Sequence, residues 1–241
     1  MLFFPLICFG GKNDIIFLLD KDAANKQGHI AILVGNETSG WYYVSINGTG
    51  EGAKPWGTNL YADVGTKILD TLGNVIYNSR KAVKCVNTTN PNEKHLYDFF
   101  RRIETTPYED SLALNASKMV ASSEIYGIIG PGNSCIDVAQ AAFSAVVKAR
   151  NLDKNGYIPG QGDLIPKKWF RKLDNRVRQA NSRLKGRKND IKFTHPLNKK
   201  NRVIKHPERL FVIPYFLRKK SDTNYVTSKG KVMHFFNLPK K

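Results

Sequence analysis

Cys135, His29 and Ser45 are the residues whose types could together perform a chemical reaction. A cysteine hydrolase needs a thiolate, an imidazole within hydrogen-bond reach and a polar group that orients the imidazole. Cys135 follows a glycine-rich stretch, residues 126–134, and opens a run with apolar side chains at three- and four-residue spacing up to Arg150. The N–H groups and dipole at a helix start favour a thiolate. The pattern therefore predicts Cys135 as a nucleophile at the first turn of a helix, with Asn133 or Ser134 as the cap.

Two consecutive runs predict a hairpin that carries the other two residues. Residues 28–34 and 41–47 are rich in β-branched and aromatic side chains, and a six-residue turn joins them. A shorter run, residues 14–20, predicts a buried strand before them. Alternation places His29 on one side of its strand and Tyr43, Ser45 and Asn47 on one side of the next. If the register brings these sides together, Ser45 or Asn47 orients the His29 ring.

Each of these residues also has an ordinary structural interpretation. A lone cysteine on an apolar helix face is more often a core residue than a nucleophile. A histidine in a strand more often has no catalytic role. Only the pairing of His29 with Cys135 favours chemistry, and the sequence does not show that the two side chains meet.

The region between the hairpin and Cys135 gives weaker patterns. Residues 83–86 predict a short strand, and residues 63–79 fit a helix or a strand equally. Residues 91–102 predict a short helix on which His95 is exposed to solvent among charged neighbours.

Two further amphipathic helices are predicted. Residues 108–124 place Leu112, Ala116, Met119 and Val120 on an apolar stripe. Residues 166–184 begin with a proline in the first turn and form a basic helix. Its predicted stripe consists of Trp169, Leu173, Val177, Ala180 and Leu184.

Charge divides the chain unevenly. The 241 residues are 41% hydrophobic, as expected for a globular protein, and carry a formal net charge of +18. Residues 1–150 hold 14 basic and 14 acidic residues, whereas residues 151–241 hold 24 and 6. We therefore predict a catalytic domain at residues 1–185 and a basic C-terminal extension at residues 186–241. The basic block predicts an anionic partner, either a polymer or an envelope such as peptidoglycan or a membrane surface. Nucleic acid is less favoured because no groove-reading motif is found.

Cysteine and histidine spacings predict neither a metal nor a cofactor. Cys8, Cys85 and Cys135 are too few and too far apart for a disulfide framework or a metal site. His195, His206 and His234 are distant from one another and flanked by basic residues or proline.

The N-terminal residues and overall hydropathy bear on localisation. The apolar opening, residues 1–9, lacks the basic start and the cleavage site of a signal peptide, and no run approaches the roughly 20 apolar residues of a membrane span. We therefore expect synthesis in the cytoplasm without a signal peptide.

The order of His on a strand followed by Cys at a helix start resembles circularly permuted papain-like proteins. This group contains permuted NlpC-type peptidases and lecithin:retinol-acyltransferase-like enzymes. Residues 19–45 and 126–135 are also similar to C-terminal domains of bacterial Rhs-type polymorphic toxins, although Ser134 interrupts their adjacent Asn-Cys pair. The resemblance implies an α+β fold with an antiparallel sheet packed against the Cys helix. It also implies Cys135 as nucleophile, His29 as base and Ser45 as third residue.

Three hypotheses about function follow. The first is a cysteine hydrolase, an antibacterial toxin that is secreted or delivered to a target cell, cleaves an amide bond in peptidoglycan peptides and is neutralised by an immunity protein. The second keeps Cys135 and His29 but directs them to lipids, as an acyltransferase or esterase. The third is a basic nucleic-acid-binding module in which the site is vestigial.

Overall fold

A computed structural model describes most of the chain up to residue 193 and two short strands beyond it. The described residues are 13–48, 56–70, 72–89, 94–97, 99–123, 125–127, 132–153, 156, 158–160, 162–182, 189–193, 224–226 and 232–234.

A six-stranded antiparallel sheet forms the centre of the α+β fold. Its strand order is β7-β1-β2-β3-β4-β8, so each of the first three strands pairs with the next along the chain. The strands are β1 (Asn13–Asp20), β2 (His29–Asn36), β3 (Gly40–Gly48), β4 (Trp56–Lys67), β7 (Phe99–Thr105) and β8 (Ile125–Gly127). Two small hairpins lie outside this sheet, namely β5 (Asn87–Thr89) with β6 (Lys94–Leu96), and β9 (Asn224–Val226) with β10 (Val232–His234).

In the part of the chain that the structure describes, five α-helices accompany the strands. They are α1 (Ser79–Cys85), α2 (Pro107–Ala121), α3 (Cys135–Ala149), α4 (Pro166–Arg171) and α5 (Leu173–Asn181). Within the described residues, no helix is long and apolar enough to cross a membrane.

The central sheet is covered on both faces, and side-chain alternation divides its residues between two cores. On the helical face, Ile30, Ile32 and Val34 of β2 pack with residues of α2 to α5. On the opposite face, called the hairpin face here, Ala31 and Leu33 pack with residues of α1 and with Tyr97, which follows β6. Strand β2 is consequently buried from His29 to Gly35.

Two sequence-based predictions between the hairpin and Cys135 are wrong. Residues 83–86 end a helix rather than form a strand, because Asn78 caps that helix by accepting a hydrogen bond from the Lys81 N–H. Residues 91–102 contain strands β6 and β7 rather than a helix, and β7 pairs with β1 over seven positions. His95 is therefore a buried strand residue, with 2% of its surface exposed, and not a solvated one. Tertiary pairing has overridden the local pattern.

Helix α2 lies where it was predicted but buries a different side. A capping box fixes its start, since Thr106 and Glu109 exchange hydrogen bonds between side chain and backbone. Its buried residues are Glu109, Asp110, Ala113, Ser117 and Ala121, whereas Met119 of the predicted stripe is 79% exposed. Val120 of the predicted stripe packs against the core, but the fully buried side of α2 consists of small and charged residues, which a hydropathy pattern does not score as apolar.

The basic helix is confirmed in position and is divided into α4 and α5 at Lys172. Trp169, Leu173, Val177 and Ala180 are buried in the main core as predicted, while Leu184 lies outside the described residues. Ile191 is buried in the same core, and Phe193 packs against it, so this core includes residues beyond position 185.

Two adjacent carboxylates of α2 predict opposite effects of pH on stability. Burial, together with the charges of Asp14 and Glu109, raises the pKa of Asp110 to about 7. Burial also acts on Glu109, but hydrogen bonds from Arg150 and Thr106 outweigh it and lower the pKa. Ionised Asp110 therefore costs native-state stability as the pH rises from about 4 to about 7, whereas ionised Glu109 contributes stability that is lost in acid.

We expect Asp110→Asn to raise the free energy of unfolding at pH 8 by up to about 4 kcal/mol and to have little effect near pH 4. Urea unfolding at the two pH values measures this. The matched variant Glu109→Gln should be destabilised at pH 8. Equal effects of Asp110→Asn at both pH values would contradict the raised pKa.

Candidate functional site

The predicted contact between His29 and Ser45 is present. The ladder between β2 and β3 pairs Leu33 with Tyr43, so the alternating residues His29 and Ser45 share the hairpin face. The Nε2 atom of His29 lies 2.9 Å from the Ser45 hydroxyl oxygen. This hydrogen bond orients the ring in either tautomer.

A second histidine stacks on the first. The rings of His29 and His95 are 4.0 Å apart between centroids and nearly parallel, at 11°. His95 Nδ1 lies 3.3 Å from a carboxylate oxygen of Asp20, and Nε2 lies 2.6 Å from the side-chain oxygen of Asn47. The Asp20 carboxylate also accepts a hydrogen bond from the N–H of Leu96, the residue that follows His95 in β6.

Tyrosine hydroxyls complete this cluster. Tyr43 and Tyr97 share a 2.5 Å hydrogen bond, and the Tyr97 hydroxyl also interacts with Ser45. We call the set the polar centre. It consists of Asp20, His29, Tyr43, Ser45, Asn47, His95 and Tyr97, all of them buried.

Burial and neighbouring charge set the protonation states of the polar centre. Burial, followed by the charge of His95, lowers the pKa of His29 well below its usual value. Burial would raise the pKa of Asp20, but hydrogen bonds from His95 and Leu96 outweigh it and lower the pKa. Burial raises the pKa of Tyr97 well above 10. His29 is therefore neutral at pH 7, and because the unfolded chain binds a proton there below about pH 6.5, stability falls as the pH falls through that value.

Cys135 is the first residue of α3, as predicted. Ser134 is the N-cap, and its N–H and hydroxyl both donate to Asp137 at 2.7 Å. Asn133 instead donates its side-chain N–H to the carbonyl of Val120. Gly132 makes the turn possible, because it has φ +116° and a Cβ there would lie 2.5 Å from the carbonyl oxygen of Ile125.

The environment of the Cys135 thiol disfavours the thiolate. The side chain is 1% exposed, and burial raises its pKa to about 11. Hydrogen bonds with the backbone of Ile30 and the side chain of Tyr126 act in the other direction, while the charge of Asp137 adds to the increase. The predicted activation by the helix start is thus outweighed by desolvation in this conformation.

The structure brings His29 and Ser45 together but does not bring Cys135 to them. Cys135 belongs to the core on the helical face, with Ile30 and Ile32, whereas the His29 ring lies on the hairpin face. Within the described residues, neither side chain is among the other's hydrogen-bonding or ring-stacking partners. Cys135 nevertheless shares the core of the helical face with Ile30, the residue that follows His29 in the strand.

Three members of the polar centre were not predicted from the sequence. His95 was hidden by the wrong helix prediction, and Tyr97 with it. Asp20 was predicted only as the last residue of a strand. It is paired with His29 across the hairpin of β1 and β2, and a hairpin predicted between residues 14–20 and 28–34 would have placed the two residues together. Asn47 was considered as a partner of His29 and instead contacts His95.

No group of three or more His, Cys, Asp or Glu residues within the described part of the chain is arranged to hold a metal ion. His195 and His206 lie outside the described residues, as does the side chain of His234. No family model, curated protein or solved structure matches this chain.

We expect the His29 imidazole to stay neutral between pH 8 and pH 6, and its pKa to rise when the neighbouring charge is removed in His95→Gln. Nitrogen-15 NMR of the histidine rings reports both the tautomer and the pKa. Tyr97→Phe, which keeps the ring but removes the hydroxyl, is the packing control and should raise the His29 pKa less. A His29 that titrates near 6.5 in the unmodified chain would contradict the buried, charge-coupled arrangement.

Proposed function

We propose that this chain is a cysteine hydrolase of the permuted papain-like type, with Cys135 as nucleophile, His29 as base and Ser45 as the group that orients His29. The observation that carries the proposal is the position of Cys135 at the start of α3, in the same core as Ile30, the neighbour of His29. The 2.9 Å contact between His29 and Ser45 is the second support.

The proposed reaction uses two half-reactions. His29 Nδ1 takes the thiol proton, and the sulfur attacks the carbonyl carbon of an amide to form a tetrahedral intermediate. The C–N bond then breaks, the leaving nitrogen takes the proton from His29, and a thioester remains on Cys135. A water molecule gives one proton to His29 and attacks the thioester, and the departing sulfur recovers that proton. The N–H of Cys135 at the helix start is suited to bind the oxyanion.

The described conformation corresponds to the resting state of the proposed enzyme. Cys135, His29 and Ser45 are 1%, 4% and 0% exposed, so substrate has no access to them. The two reacting side chains also lie on opposite sides of β2, because Cys135 of α3 packs against the helical face and His29 lies on the hairpin face. Catalysis therefore requires the start of β2 to move, so that His29 and Cys135 share one face. Gly28, which directly precedes His29 at φ +92°, is the position at which the backbone can turn.

Amide bonds of peptidoglycan peptides are the proposed substrate, and an antibacterial toxin with an immunity protein is the proposed biological role. The net charge of +18 supports this choice, because bacterial cell walls and envelopes are anionic and attract a cationic enzyme. Transfer or hydrolysis of acyl groups on lipids uses the same three residues and is the alternative substrate class.

The second candidate function is a basic binding module without catalysis. The raised pKa of Cys135 and the position of the thiol on the helical face favour it, because both are ordinary for a core cysteine. In this reading the polar centre is structural, and the cationic surface carries the function.

Peptidoglycan fragments incubated with the purified chain should yield new peptide termini, detected by mass spectrometry. We expect Cys135→Ser to reduce the rate at least about a thousandfold, since the hydroxyl is a far weaker nucleophile beside a neutral imidazole. His29→Gln should reduce it comparably. Fatty-acid release from phospholipid vesicles, in place of peptide products, would assign the lipid alternative.

Cys8→Ser is the control for loss of a thiol in general and should retain activity. Circular dichroism and thermal unfolding of each variant separate loss of chemistry from loss of fold. Folded Cys135→Ser that cleaves at the unmodified rate would overturn the assignment of the nucleophile.

A further inference from the structure

The outer side of α4 and α5 presents a row of cations. Lys168, Arg171, Lys172 and Arg178 are exposed. At about 100° per residue they fall within roughly 120° of one another around the helical segment, which places them along one side of it. We call these four residues the basic face. At 1.5 Å per residue they extend over about 15 Å.

Side chains on the inner side hold this segment against the domain. The Trp169 ring is fully buried and its N–H donates to Gln140 of α3 at 2.8 Å. Arg176 lies over the Trp169 ring at 4.7 Å, donates to the Trp169 carbonyl and pairs with Asp163. These contacts hold α4 and α5 in place, so the basic face has a fixed position on the domain. The apolar stripe of the two helices is buried in the core.

Carboxylates of the domain do not neutralise all four cations of the basic face. The two carboxylates of this segment are engaged, Asp163 by Arg176 and Lys172, and Asp174 by Arg101. Within the described residues, Lys168, Arg171 and Arg178 form no ion pair. Three cations thus remain for an external anion.

Two apolar side chains stand immediately before the basic face. Leu164 is 49% exposed and Ile165 is 40% exposed, and Pro166 then opens α4. Exposed aliphatic residues beside lysine and arginine suit the boundary between phosphate headgroups and acyl chains. A surface for single-stranded nucleic acid would instead favour aromatic rings for stacking, but Trp169 and Phe170 of this segment are buried.

We propose that the basic face, together with Leu164 and Ile165, binds the surface of an anionic lipid bilayer. Lipid phosphates accept hydrogen bonds from Lys168, Arg171 and Arg178, and the two aliphatic side chains enter the headgroup boundary. This surface function is independent of whether Cys135 is a nucleophile.

Co-sedimentation of the full chain with vesicles of phosphatidylglycerol and phosphatidylcholine tests the proposal, with pure phosphatidylcholine vesicles and a DNA duplex as comparison ligands. The combined variant Lys168→Gln, Arg171→Gln and Arg178→Gln should bind the anionic vesicles about a hundredfold more weakly. The matched variant Lys81→Gln, Lys118→Gln and Lys148→Gln removes the same charge from α1, α2 and α3 and should change binding much less. Leu164→Ser with Ile165→Ser should weaken vesicle binding roughly tenfold and leave DNA binding unchanged.

Equal losses in the two charge variants would overturn the proposal, because net charge alone would then explain binding. Vesicle binding that is unchanged in the basic-face variant would also overturn it. A larger loss for DNA than for vesicles, with no effect of the serine variant on either ligand, would assign this surface to nucleic acid instead. Thermal unfolding of each variant confirms that the domain is intact.

Discussion

The central constraint in this structure is that strand β2 is buried on both of its faces. Because side chains alternate along a strand, every odd-numbered residue from His29 lies on the hairpin face and every even-numbered one on the helical face. The sheet pairs β2 with β1 over eight positions, from Asp20 with His29 to Asn13 with Asn36, so its register leaves little freedom. This register places the polar centre on the hairpin face and the apolar core that contains Cys135 on the helical face.

The two faces stabilise the fold by different means. On the helical face, α3 contributes Val138, Ala139, Ala142, Phe143 and Val146 to a continuous apolar core in which the thiol of Cys135 is one more buried group. On the hairpin face, buried polar groups are matched with one another, since Asp20 contacts His95 and His29 contacts Ser45. Burial without such partners would cost several kcal/mol for each group. The hairpin of β5 and β6 is therefore required to complete the polar centre, because it supplies His95.

Local patterns in the sequence predicted the parts of the fold that depend on neighbours along the chain. The hairpin of β2 and β3, the start of α3 at Cys135 and the buried stripe of α4 and α5 were all predicted correctly, as was the contact of His29 with Ser45. The same patterns failed where pairing is between distant segments. Residues 99–105 form a strand because they pair with the edge of β1, and residues 94–96 form one because they pair with β5. No local signal in that charged stretch records either partner. Whether Cys135 and His29 face each other depends on how α3 crosses the sheet, which alternation within one strand does not determine.

The central claim is that the buried Cys135 is a resting nucleophile that meets His29 in a less populated conformation. The most direct measurement is the rate of iodoacetamide alkylation at Cys135 against pH, resolved by mass spectrometry, in the unmodified chain and in His29→Gln. In the unmodified chain we expect the alkylation rate to form a plateau near neutral pH and then to rise toward pH 11, where the buried thiol ionises. In His29→Gln we expect the rise to remain and the plateau to be absent. A single titration near pH 11 that is identical in both proteins would contradict it, because Cys135 would then be a core residue alone.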